Sequence, residues 1–273
     1  MRTKLIKIGI FLGIMAGLFF LGRYLFFLHY PALVQYTYNK DYLIVPPDGG
    51  HALPGSPDFF EVLKTGAFAF KKEEEKPKVV ALTFDDGPFP LYTPLLLDVL
   101  KRHGIKATFF VNGIYAERFP QIIEDIYLDG HEVGNHTYSH KHISSLSPEE
   151  LDVELGKTEA ALKKIAGRET KLMRPPGGQI SKDSCKLVAD RGYTIVMYSI
   201  NPGDWWQSDP NKLYDYVFSH THREGIILLH TGLMHTVELM PTLIDEYQKR
   251  GYRFVTISEL AEMEGIILPE REK

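Results

Sequence analysis

The chain has 273 residues, with 31 Lys and Arg against 35 Asp and Glu, a net charge of −4, too mild for an electrostatic nucleic-acid binder. Hydrophobic content of 44% and charged content of 24% are globular values rather than those of a disordered chain. The one cysteine, Cys185, excludes an intrachain disulfide framework and every cysteine-rich zinc module.

The chain opens with Arg2, Lys4 and Lys7, followed by an apolar run from Ile8 to Gly22 that resumes after Arg23. A basic start before an apolar stretch marks an export signal or a membrane anchor. No small-x-small cleavage site stands out, and the apolar material reaches bilayer length, so residues 1–30 are read as a signal-anchor helix. The positive start places the N-terminus in the cytoplasm and the rest of the chain outside; cleavage of the segment would release it instead. Residues 31–76 read as a linker, broken by Pro46-Pro47-Asp48-Gly49-Gly50 and closed by the charge run before Pro77.

From residue 77 to 273 the pattern is that of one domain with a sizeable core. Val79–Phe84 is a β-rich run. Leu95–His103 is helical, and Ala107–Val111 is a strand. Pro120–Asp129 is a helix ended by Gly130. Ser147-Pro148-Glu149-Glu150 is a helix start with a capping box, and the helix runs to Ala166. Leu172 and Met173 enter a strand, Ser181–Arg191 is a helix, and Thr194–Ile200 is a strand. Asp209-Pro210 opens a further helix. Ile226–Leu229 is an apolar strand, Val237–Arg250 a helix and Tyr252–Ile257 a strand. Strands alternating with helices imply parallel βα units, and about seven of them fit an imperfect barrel.

In such folds the chemistry sits at the carboxyl ends of the strands. Five polar groups fall there: the strand end Thr83-Phe84 with Asp85-Asp86-Gly87-Pro88; His136 to His140; Arg174-Pro175-Pro176-Gly177-Gly178; Asp204-Trp205; and His230. Two histidines four apart, joined by one carboxylate, make a metal site with positions left open for water and substrate. Adjacent side chains on an extended backbone diverge, so one of Asp85 and Asp86 can serve as a ligand and the other as a general base. The same four residues also suit a turn. Arg174 is suited to orient a carboxylate, and His230 to act as an acid tuned by Asp204. Trp205 can stack on a sugar or fill a wall. His131 and His142 flank the histidine pair and are candidates to support it through hydrogen bonds.

From about Lys78 to Glu264 these motifs, in this order, resemble the polysaccharide deacetylases with a NodB homology domain, carbohydrate esterase family 4. The resemblance implies a distorted (β/α)7 barrel, here preceded by the membrane-anchor helix and linker. It implies Asp85 as base, Asp86, His136 and His140 as metal ligands, Arg174 as the group that positions the base, and His230 as acid, tuned by Asp204. Pro176, Gly177 and Trp205 are the implied substrate contacts, with the Gly177 N–H helping to bind the oxyanion. The implied metal is Zn²⁺, with Co²⁺ or Ni²⁺ as substitutes. The implied reaction is removal of N-acetyl groups from N-acetylglucosamine or N-acetylmuramic acid residues of peptidoglycan or a chitin-like glycan. The partners expected are that glycan and the membrane, with no nucleic acid, and the catalytic domain is expected outside the cell. An O-acetyl esterase, a lipid-linked sugar deacetylase and a glycan-binding relative without turnover are the alternatives. Three residues depart from the family pattern: Gly177 where an aromatic is common, Asn201 where an Asp is common, and Thr231 where an Asp is common after the acid. They bear on groove shape and substrate choice.

Overall fold

The computed structural model describes residues 44–45, 77–264 and 268. The described residues all belong to one compact unit, Tyr42–Lys273. The anchor expected over residues 1–30, and all but two residues of the linker, lie outside the described residues. Among the described residues no helix is long and apolar enough to cross a membrane.

In chain order the elements are β1 (Ile44–Val45), β2 (Val79–Asp85), α1 (Tyr92–Arg102), β3 (Thr108–Val111), α2 (Gly113–Arg118), α3 (Pro120–Leu128), β4 (Glu132–Asn135) and α4 (Pro148–Ala166). They continue as β5 (Leu172–Met173), α5 (Lys182–Ala189), β6 (Thr194–Val196), α6 (Pro210–His220), β7 (Glu224–His230), α7 (Met234–Lys249), β8 (Arg253–Phe254) and α8 (Ile257–Met263). The sheet order is β1-β6-β5-β4-β3-β2-β7, and β8 pairs with β2 below β3. Every pairing is parallel except β1 with β6. After β6 the chain crosses to the far end of this path. Ile200 bridges Ile227 in parallel, and Leu228 N–H donates to the Ile200 carbonyl at 2.9 Å. The sheet therefore curls until the segment after β6 meets β7, which is the distorted (β/α)7 barrel expected from the sequence.

The two-residue period of a strand sorts β2 into two faces. Val80, Leu82 and Phe84 pack outward with Leu96 and Leu100 of α1 and Leu243 and Tyr247 of α7. Val79 and Ala81 face inward with Ile226, Val255, and Ile257 and Leu260 of α8. Thr83 and Asp85 continue the inward face and are buried. The interior is thus apolar at the amino ends of the strands, where α8 plugs it, and polar at their carboxyl ends.

The structure departs from the sequence reading at several places. Ile44–Val45, expected in the linker, form a strand. β4 and α2 were not expected. β4 reads Glu-Val-Gly-Asn, which resembles a turn, but Gly134 is there because Phe110 lies against it: a Cβ would meet Phe110 Cδ1 and Cε1 at 2.5 Å. α1 starts three residues earlier than expected, at Tyr92, because Pro94 fits the first turn, where a proline lacks no needed donor. β6 ends at Val196 rather than Ile200. The strand expected over Tyr252–Ile257 stops at Phe254, and Ile257 begins α8 instead. Thr256 caps that helix in a capping box with Glu259, so a β-branched run that suits a strand gives way to a local cap.

Candidate active site

β2 carries Asp85 to the carboxyl end of the barrel, and the chain turns at once. Asp86 takes a left-handed φ of 66°, as do Thr137 (61°) and His140 (60°) in the loop after β4. Such conformations cost about 1–3 kcal/mol each in a non-glycine residue and persist only where the surroundings fix them. The surroundings do so. The first N–H groups of α2, from Gly113 and Ile114, donate to the carbonyls of Thr137 and Tyr138. Thr137 N–H donates to Asn135 Oδ1 at 2.8 Å. Buried Glu154 of α4 accepts from Ser139 N–H at 2.8 Å and Ser139 Oγ at 2.7 Å.

The result is a convergence of three donor atoms. His140 Nε2 lies 3.3 Å and His136 Nε2 3.7 Å from Asp86 Oδ1, and one ligand atom from each residue falls within 4.8 Å of the others. His136 is buried and donates through Nδ1 to the Arg174 carbonyl at 2.7 Å. That bond leaves Nε2 as the lone-pair nitrogen, aimed at the carboxylates. Burial holds the His136 pKa below the ordinary histidine value, which favours the neutral, ligating form. Two imidazoles and a carboxylate in this arrangement fit a borderline divalent cation.

Asp85 is set apart from this cluster by Arg174. The Arg174 side chain is wholly buried. It donates to Asp85 Oδ1 at 2.8 Å, to Thr83 Oγ1 at 2.6 Å and to the carbonyls of Val196 and Met197. Its guanidinium also stacks on Phe110 at 4.3 Å. The other carboxylate oxygen, Oδ2, lies 3.8 Å from His136 Nε2. Across the β2–β7 ladder, Asp85 is in register with His230.

His230 is the partner of buried Asp204. Its Nδ1 donates to Asp204 Oδ1 at 2.7 Å, and its backbone N–H donates to Oδ2 at 2.8 Å. The first turn of α7 completes the clamp, with Thr236 Oγ1 on Oδ2 at 2.8 Å and His235 Nε2 on the Asp204 carbonyl at 2.7 Å. Burial opposes a charge on His230. The Asp204 hydrogen bond and the charges of Asp204, Asp85 and Asp86 outweigh it and hold the pKa above the ordinary value.

Of the residues singled out from sequence, the structure brings Asp85, Asp86, His136, His140, Arg174, Asp204 and His230 to one end of the barrel. Pro176 and Gly177 follow Arg174 and Pro175 in a tight turn in which Gly177 is left-handed and exposed. Trp205 is 62% exposed beside Asp204, its ring at 84° to that of the equally exposed Trp206. Thr231, one of the departures from the family pattern, is buried and donates to the Asp85 carbonyl from both N–H and hydroxyl. Glu154, Thr236, His235 and Trp206 were missed. Nothing in the local sequence of Glu154, Thr236 or His235 marks them, because their partners lie 15 to 32 residues away.

A parallel barrel with a two-His, one-carboxylate cluster, a buried Arg–Asp pair and an Asp-tuned histidine at one rim is the architecture of a metal-dependent hydrolase. The comparisons give the family. The model of the polysaccharide deacetylase family matches residues 72–196. A peptidoglycan-N-acetylglucosamine deacetylase of Bacillus cereus is 34% identical over 246 residues, covering 89% of this chain and 86% of the relative. The peptidoglycan-N-acetylmuramic acid deacetylase PdaA of Bacillus subtilis is 32% identical over 228 residues, 82% of this chain and 84% of the relative. The crystal structure of the Bc1960 peptidoglycan N-acetylglucosamine deacetylase superposes with a TM-score of 0.67 at 35% identity, covering 71% of this chain and 91% of the other. The chain belongs to the polysaccharide deacetylases, carbohydrate esterase family 4, a metal-dependent family.

Proposed function

We propose that this protein removes N-acetyl groups from the amino sugars of peptidoglycan. The observation that carries the reading is the placement of two separately held proton carriers, Asp85 on Arg174 and His230 on Asp204, at the rim that holds the Asp86, His136 and His140 donors. A divalent cation held by those three residues, zinc in our reading, supplies Lewis acidity, lowering the pKa of water toward about 7 and polarising the acetyl carbonyl. Asp85, oriented through Oδ1 by Arg174, takes the proton of the attacking water on Oδ2. The Gly177 N–H donates to the carbonyl oxygen as it gains negative charge. His230, with Nδ1–H on Asp204, gives the proton on Nε2 to the departing amine. The products are acetate and a free amino sugar. Pro176 and Trp205 are assigned to the walls that hold the glycan.

The test is acetate released by the full chain from purified peptidoglycan and from N-acetylglucosamine oligomers, before chelation, after it, and after zinc is restored. Release that vanishes on chelation and returns with zinc is the expected result, and the ratio of the two substrates ranks them. Protein that retains stoichiometric zinc and releases no acetate from either substrate overturns the reading. Residues 1–30 are assigned as the anchor that holds the catalytic domain outside the membrane. Protease added to intact cells should then cut the domain and leave a membrane-bound N-terminal stub.

A further inference from the structure

We propose that His142 is a positioning residue that sets the Pro176–Gly177 peptide in the orientation that aims the Gly177 N–H at the oxyanion; this rests on the deacetylase reading above. The His142 Nδ1 lies 3.0 Å from the Pro176 carbonyl oxygen. A carbonyl only accepts, so Nδ1 carries the proton and donates. The Pro176 C=O and the Gly177 N–H belong to one planar trans unit and point to opposite sides of it. Holding one fixes the other, and a donor on the carbonyl also polarises the N–H. Among the described residues nothing accepts from that N–H, and Gly177 is exposed.

The segment's own turn bonds run from Gly178 N–H to the Pro175 carbonyl at 2.9 Å and, longer, from Gln179 N–H to the Pro176 carbonyl at 3.4 Å, so the His142 bond is the shorter of the two on that carbonyl. Gly177 and Gly178 are consecutive, with φ of 63° and 64°, and glycine crosses between backbone regions at little cost. An aromatic side chain is common at the position of Gly177 in the family that the sequence resembles; here His142 occupies that space. A Cβ on Gly177 would lie 2.8 Å from His142 Cε1 and 3.2 Å from Nδ1. The backbone of His142 is itself well held. Its carbonyl accepts from Ser145 N–H at 3.1 Å and from Ser145 Oγ at 2.8 Å, and the next residue, Ile143, is buried. The His142 ring stands 6.3 Å from that of His140, which places it at the edge of the metal-binding cluster.

The experiment compares the full chain with His142→Ala, His142→Leu and His142→Asn, the last retaining an N–H donor near the place of Nδ1. Steady-state kinetics on N-acetylglucosamine oligomers, bound zinc, and relaxation of the Gly177 amide in [¹⁵N]glycine-labelled protein are measured. In the Ala and Leu variants kcat falls roughly 10- to 100-fold, less than outright loss of an oxyanion donor. KM and zinc content hold within about two-fold and the Gly177 amide broadens, while Asn restores most of kcat and a sharp signal. An Asn variant as slow as Leu, or a Gly177 amide unchanged by Leu, overturns the proposal. Should the Ala variant fail to fold, the Leu and Asn pair carries the comparison. Should the wild-type chain release no acetate, the deacetylase reading fails, and the amide signal alone then decides whether His142 holds the peptide.

Discussion

Asp204 shows how much of an acid's behaviour is set by residues that never meet the substrate. Four donors converge on it, two of them from His230 itself. Its charge helps keep His230 protonated above the ordinary histidine range. The acid form exists below that pKa and is lost as pH rises through it, so the alkaline limb of kcat/KM should report His230. Asp204→Asn removes the charge, which lowers the His230 pKa and moves the alkaline limb toward acid, with a loss of roughly 10²-fold near pH 8. An unmoved limb in the pH profile would assign it to another group. At this scale the sequence was informative about the chemistry and silent about its support. Asp85, Asp86, His136, His140, Arg174, Asp204 and His230 are legible because each ends a strand or opens a loop in a recognisable string. Glu154 and Thr236 are not, because a buried Glu or Thr on a helix has no local mark of its partner.

Among the elements, β4 is the instructive case. Its four residues lack the β-branched run that betrays a strand, yet all are buried in the sheet. The reason is tertiary: Phe110 of β3 needs the space that Gly134 leaves, and the same ring carries the Arg174 guanidinium on its surface. Gly134→Ala should overpack this stack, costing about 1–3 kcal/mol. A lower Tm together with a lower kcat is expected, since the displaced ring disturbs the arginine that orients Asp85. A Tm loss with kcat intact would separate the packing from the site. The end of the chain teaches the opposite lesson. Val255-Thr256-Ile257 has the composition of a strand, but Thr256 and Glu259 form a capping box that the sequence displayed and that outweighs β propensity.

For the molecule as a whole, the alternation of strands and helices was enough to give a parallel barrel, because each helix must bury one stripe on a sheet buried on both faces. It was not enough to give the closure, which is made by Ser199 and Ile200 on Ile226, Ile227 and Leu228 after β6 has already ended. The cation cluster joins the loop after β2 to the loop after β4, so a bound metal should stabilise the native state by mass action, by about 2.7 kcal/mol at a hundredfold excess over Kd. Thermal denaturation should show a lower Tm after chelation, recovery with zinc, and no response to either in His136→Ala. An equal response in that variant would place the stabilising ion elsewhere.

The α8 plug gives the barrel a floor. With Ile257 and Leu260 filling the bottom of the interior, the reaction chamber is a cup and not a tube. Whatever enters over the rim must leave over the same rim. A polymer that is long in both directions could therefore reach the Asp85 and His230 side chains only by lying across the rim. Acetate and the next acetyl arm share one doorway, so departure of the small product and arrival of the next sugar are traffic on the same path.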